Sequence, residues 1–177
     1  MEETSPPELY FAYGSNLDLA QMRIRCPGAT LISTGWLDGY RLVFGGFSHA
    51  RGGGTANLVA TNQGDRAHGV LFHMTPKDWD RLDPFEGYPR VYDRHVVRIT
   101  NPVGWVVEAQ AYIKHRHDPN PPASAYRRIV ETGYRFHGLP MAPLEIALAE
   151  SQRSGRKAIL KKHLRGSGRN YRPPAGP

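Results

Sequence analysis

Two rhythms of apolar residues run along this chain, and the switches between them mark its elements. Residues 9–13 form a short apolar and aromatic run of strand character, and Gly14-Ser15-Asn16 behind it is turn and helix-cap chemistry. Leu17, Ala20, Met22 and Ile24 then give the apolar set of a first helix, with Asp18 in its first turn and Ser15 or Asn16 as the expected N-cap. Residues 30–37 and 40–44 read as two strands joined through Asp38-Gly39, a hairpin-type turn. The glycine-rich stretch 45–54 reads as a mobile loop able to form one wall of a site. Further strands are expected at 55–60, 68–74, 91–99 and 105–113. Thr75-Pro76 opens a helix with Trp79, Leu82 and Phe85 along one face. After a proline-rich linker at 118–122, helical spacing returns over 124–136 and again around Leu144, Ile146, Ala147 and Leu148. Strands joined by short turns, with helices placed irregularly among them, predict an α+β fold with a mainly antiparallel sheet or small barrel.

Composition adds boundaries to this picture. The 177 residues are 40% hydrophobic and 22% charged, which is globular. No apolar run approaches the roughly 20 residues needed to span a bilayer, and the first residues lack a signal-peptide pattern, so a cytoplasmic protein is expected. The single cysteine, Cys26, excludes an intrachain disulfide and a multi-cysteine zinc site, and its place before Pro27-Gly28 suits a packed helix-end thiol. The net charge of +7 is carried by residues 151–177, which hold eight Lys or Arg and no Asp or Glu. That tail is expected to be partly helical, disordered from Gly166 onward, and at most a weak, non-specific contact for an acidic partner or nucleic acid.

Little catalytic chemistry is legible from motifs alone. The eight histidines are scattered without metal-ligand spacing, the glycine-rich stretch lacks a phosphate-loop ending, and Gly14-Ser15-Asn16 lacks the second glycine of a nucleophile elbow. The 13–17 turn is either an ordinary capped helix start or a cradle of N–H groups for a small anion. Glu86 is either an exposed helix-end carboxylate or, if aromatic rings desolvate it, a proton carrier with a raised pKa.

Several stretches together narrow these alternatives. Tyr13-Gly14-Ser15-Asn16-Leu17, Gly54-Thr55-Ala56-Asn57-Leu58-Val59, His68-Gly69-Val70-Leu71-Phe72, Leu82-Asp83-Pro84-Phe85-Glu86-Gly87 with Tyr92, and Pro121-Pro122 with Gly138-Leu139-Pro140 resemble, in order and approximate spacing, the γ-glutamylcyclotransferase superfamily. The resemblance covers about residues 9–148. It implies a small mixed, largely antiparallel β-barrel with flanking helices at 9–150, preceded by an extension at 1–8 and followed by the basic tail at 151–177. It also implies a cofactor-independent, metal-free enzyme of amide-cleaving lyase or acyltransferase type, which cyclises a γ-glutamyl amino acid, peptide or amine to 5-oxoproline. In that reading Glu86 is catalytic, while Tyr13, Gly14, Ser15, Asn16, Leu17, Tyr92 and Tyr112 bind substrate. The competing reading is a non-catalytic ligand-binding or regulatory protein on the same fold, with nucleic-acid contact through the tail. Leaving-group specificity, and the choice between monomer and homodimer, stay open at this level.

Overall fold

A computed structural model describes residues 8–167. Five strands close into a barrel in the order β1 (Leu9–Ala12), β5 (Arg66–His73), β2 (Thr30–Asp38), β6 (Tyr92–Thr100) and β7 (Val106–Lys114). Neighbours are antiparallel except at the seam, where β1 meets β7 in parallel with Tyr10 opposite Gln110. The seam is what makes the barrel mixed. Strands β3 (Tyr40–Ser48) and β4 (Gly53–Ala60) form a separate two-stranded sheet beside it. Four helices flank these sheets: α1 (Leu19–Arg25), α2 (Pro76–Glu86), α3 (Ser124–Phe136) and α4 (Met141–Ser167). One continuous core joins barrel and helices, with Phe11, Val70, Ile99, Leu82, Tyr134 and Leu144 among its fully covered side chains. No helix among the described residues is long and apolar enough to cross a membrane.

Several expectations are met and several are corrected. Helix α2 starts as its sequence dictates, with Thr75 and Asp78 forming a capping box and Pro76 in the first turn. Helix α3 occupies 124–136 as the spacing predicts. The turn at Asp38-Gly39, however, does not join a hairpin, because β2 pairs with β5 and β6 while β3 pairs with β4. Turn chemistry is local and carries no information about which strand will be inserted alongside.

Phe85 is not on the buried face of α2. It is exposed, with the Arg25 guanidinium 4.7 Å above its ring. In α1 only Met22 is buried. Ala20 and Ile24 are four residues apart and share the opposite, solvent face. The N-cap of α1 is Asp18, whose side chain accepts from the N–H groups of Ala20 and Gln21, rather than Ser15 or Asn16. The basic segment continues α4 without a break through Ser167, so Gly166 is helical. Residues 168–177 of the tail and 1–7 of the extension lie outside the described residues.

The glycine-rich stretch is a strand hairpin rather than a mobile loop. Strand β3 runs on to Ser48, β4 begins at Gly53, and the hairpin docks on the 117–123 segment. At Gly54 the approach is tightest, since its N–H donates to Pro121 O (3.0 Å) and a β-carbon there would lie 2.0 Å from the Asn120 carbonyl oxygen. Backbone cannot yield as a flexible side chain does. Gly54→Ala is therefore expected to destabilise the fold by about 3 kcal/mol, the upper end for overpacking, and thermal or urea melts read this directly. An unchanged midpoint would contradict the packing described here.

Candidate active site

The loop after β1 is a single 3-10 turn, Ser15–Leu17, closed by Leu17 N–H to Gly14 O and Asp18 N–H to Ser15 O, both at 3.1 Å. The N–H groups of Ser15 and Asn16 open the turn and have no acceptor within it. Helix α3 holds this loop from behind. Gly133 lets Leu17 approach so closely that a β-carbon at 133 would meet the Leu17 Cβ at 2.5 Å, and the His137 ring lies 2.8 Å from Leu17 O. Leu17 is thus a buried anchor of the loop.

Asn16 connects this loop to Glu86. Its amide orientation follows from its neighbours: Arg25 Nη1, which can only donate, is 2.9 Å from Oδ1. Nδ2 therefore donates to Glu86 Oε1 (2.9 Å) and to the Tyr10 hydroxyl (2.8 Å), while Gln21 Nε2 gives Oδ1 a second donor at 3.0 Å. Every hydrogen-bonding position of this buried amide is used.

Glu86 is the last residue of α2, and the left-handed C-cap Gly87 turns the chain away immediately after it. Its side chain is only 16% exposed, and Arg25 Nη1 lies 4.0 Å from Oε1. Burial raises its pKa above the ordinary carboxylate range, while Arg25, the Asn16 amide, Arg51 and Lys114 pull it back. The exposed helix-end reading of Glu86 is excluded by this geometry. What remains is a desolvated carboxylate held in one orientation beside a cavity.

That cavity has a volume of about 860 Å³, within the range of small-molecule sites. Ser15, Glu86 and Tyr92 line it, together with Gln21, Arg51 and Tyr126. The Tyr92 hydroxyl donates to Ala56 O (2.7 Å) and lies 3.1 Å from Thr55 Oγ1. Tyr126 accepts from Ala56 N–H (3.1 Å) through its hydroxyl. Arg51, at the tip of the β3–β4 hairpin, donates to Gln21 Oε1 (2.7 Å) and lies 5.4 Å from the centre of the Tyr126 ring.

Tyr13 and Tyr112 stand in a supporting layer. The Tyr13 hydroxyl donates to the Tyr112 carbonyl, and the Tyr112 hydroxyl donates to Asp83 Oδ1 (2.5 Å). Both rings are buried. Lys114 lines the cavity with its ammonium donating to Gly45 O (2.6 Å) and Thr55 O (3.3 Å); burial lowers its pKa to about 8. Cys26 is buried at the end of α1 with its thiol pushed up to about 12, which keeps it protonated and inert at neutral pH.

Gln21, Arg25, Arg51, Lys114 and Tyr126 are among the site-lining residues that the sequence did not disclose. They come from α1, the β3–β4 hairpin, β7 and α3, and no local spacing links them. Aromatic burial around the site has a measurable consequence. Six tyrosine hydroxyls, those of Tyr10, Tyr13, Tyr92, Tyr112, Tyr126 and Tyr134, have pKa values raised by desolvation. Above pH 10 an unfolded tyrosine loses its proton while these retain theirs, so the folded state binds more protons and stability falls as pH rises. Lys114, with a lowered folded value, works in the opposite direction between about pH 8 and 10.5, but it is one group against six. Urea midpoints are expected to drop steeply from pH 10 to 12, with phenolate absorbance of these tyrosines appearing together with unfolding. Their ionisation in a still-folded protein would contradict the burial.

With this geometry in view, comparison with known proteins gives one consistent result. The family model described as Gamma-glutamyl cyclotransferase, AIG2-like, matches residues 10–135. Gamma-glutamylcyclotransferase of Homo sapiens is 30% identical over 146 residues, covering 78% of this chain and 77% of its own length. The protein of the same name from Mus musculus is 30% identical over 137 residues, covering 75% and 72%. A solved structure of a Gamma-glutamyl cyclotransferase superposes with a TM-score of 0.72 at 28% identity, covering 78% of this chain and 85% of that one. Loop, buried carboxylate and every barrel residue after Leu9 fall within the matched region, and the chain belongs to the Gamma-glutamyl cyclotransferase, AIG2-like family.

Proposed function

We propose that this protein converts γ-glutamyl compounds to 5-oxoproline with release of the attached amine, using Glu86 to carry the proton. The observation that carries this reading is the buried Glu86 carboxylate, tied by Asn16 to the 14–17 loop at the edge of a cavity of substrate size. The substrate's α-ammonium must lose a proton before its nitrogen attacks the γ-carbonyl carbon. A carboxylate with a raised pKa accepts that proton and returns it to the departing nitrogen as the old C–N bond breaks, and the new ring nitrogen then gives up its second proton through the same carboxylate to the freed amine, leaving a neutral lactam and an ammonium. Atoms and charge balance without water or a covalent enzyme intermediate.

The remaining groups divide the work of orientation. N–H groups of Ser15 and Asn16 suit the glutamyl α-carboxylate or the developing oxyanion, as donors fixed by a loop that α3 and Asn16 hold rigid. Ser15 and Tyr92 face the cavity from opposite elements and border the curled chain, while Tyr13, Leu17 and Tyr112 support that surface from beneath. Because the reaction is intramolecular, holding the chain curled supplies much of the acceleration.

Purified protein incubated with γ-glutamyl dipeptides and amines, γ-glutamyl-ε-lysine included, should release 5-oxoproline from at least one class. Silence across the panel would favour a binding role for the cavity.

A further inference from the structure

The charges lining the cavity are unequal. Five cationic residues, Arg25, Arg51, Arg90, Lys114 and Arg116, line it against two acidic ones, Glu86 and Asp118. Arg25 is engaged by Asn16 and Glu86, and Arg51 by Gln21. The other three have capacity to spare. An ammonium has three N–H donors, and Lys114 commits two of them to Gly45 O and Thr55 O. Arg90 and Arg116 are exposed at the mouth and make no ion pair among the described residues.

The glutamyl half of a substrate is zwitterionic and does not neutralise this excess. Any match must come from the leaving half. A neutral amino acid brings one carboxylate, an acidic one brings two, a lysine brings one carboxylate offset by an ammonium, and a plain amine brings no carboxylate. Like charges placed together at a site are a strong means of rejection. Resting on the cyclisation reading above, we infer that Lys114, Arg90 and Arg116 select γ-glutamyl compounds whose leaving residue is itself acidic.

The test compares kcat/KM for γ-glutamyl-glutamate, γ-glutamyl-alanine and γ-glutamyl-lysine. The expected order is glutamate, alanine, lysine, with at least a tenfold span that narrows at high salt because two of the cations are exposed. The double variant Arg90→Glu, Arg116→Glu should lower the glutamate-to-lysine ratio at least tenfold. Arg153→Glu removes the same kind of charge from a different surface depression and should leave the ratio unchanged. A flat or inverted order would overturn the inference, as would an equal change from Arg153→Glu, which would assign the preference to the overall field. Should neither these dipeptides nor the wider panel of γ-glutamyl amines turn over, the cyclisation reading falls, and equilibrium binding of the same dipeptides to Glu86→Gln decides separately. Tighter binding of γ-glutamyl-glutamate than of γ-glutamyl-lysine would uphold the charge selection, and equal binding would end it.

Discussion

Replacing Glu86 with glutamine is expected to lower 5-oxoproline production by about 10²–10⁴-fold, the range general acid–base catalysis supplies, while the protein stays folded. The substitution keeps size and leaves Oε1 available to the Asn16 amide, so the loop has no reason to move. In the proposed reaction it removes the carboxylate that accepts the α-ammonium proton. Since burial already penalises the charge of Glu86, the neutral amide should melt at or above the wild-type temperature. The loss should lie in kcat, because the other groups that line the cavity are untouched. Activity within a few fold of wild type would remove Glu86 from the chemistry.

The second large effect is expected at Asn16. This residue is only 3% exposed, and its amide joins Tyr10, Gln21, Arg25 and Glu86. Asn16→Ala leaves Arg25 and Gln21 donors unmatched in a part-buried site, at a cost of about 2 kcal/mol. Activity should fall about 100-fold through loss of loop and carboxylate orientation. A pH profile separates this from simple destabilisation. The Asn16 hydrogen bond favours the charged form of Glu86, so its removal raises the Glu86 pKa and moves the acidic limb of the rate profile to higher pH. The variant should lose more at pH 6 than at pH 9. A uniformly lowered profile with an unmoved limb would show that Asn16 supports the fold without tuning Glu86.

Much of this architecture was legible because local rules and tertiary structure agree. The Thr75-Pro76 helix start, the 124–136 helix and the strand pattern all follow from periodicity and capping chemistry. The failures share a cause. Asp38-Gly39 has hairpin chemistry, yet β5 takes the place beside β2, a long-range choice that no turn encodes. The glycines at 45–54 were expected to confer mobility, whereas several are required by the close passage of residues 117–123. Ile24 and Phe85 look like core residues by composition, but each faces outward once the helical phase is set. In the site, Glu86 and the 14–17 loop were accessible through contiguous motifs. Arg25, Arg51 and Lys114 are single residues of ordinary type, and their importance arises only where their elements converge.

Product analysis tests the central claim most directly. Wild-type protein acting on a γ-glutamyl dipeptide should yield 5-oxoproline and the freed amino acid in equal amounts, with no glutamate. Glutamate in place of 5-oxoproline would mean that water, not the substrate's own nitrogen, attacks the γ-carbonyl, and would contradict the account.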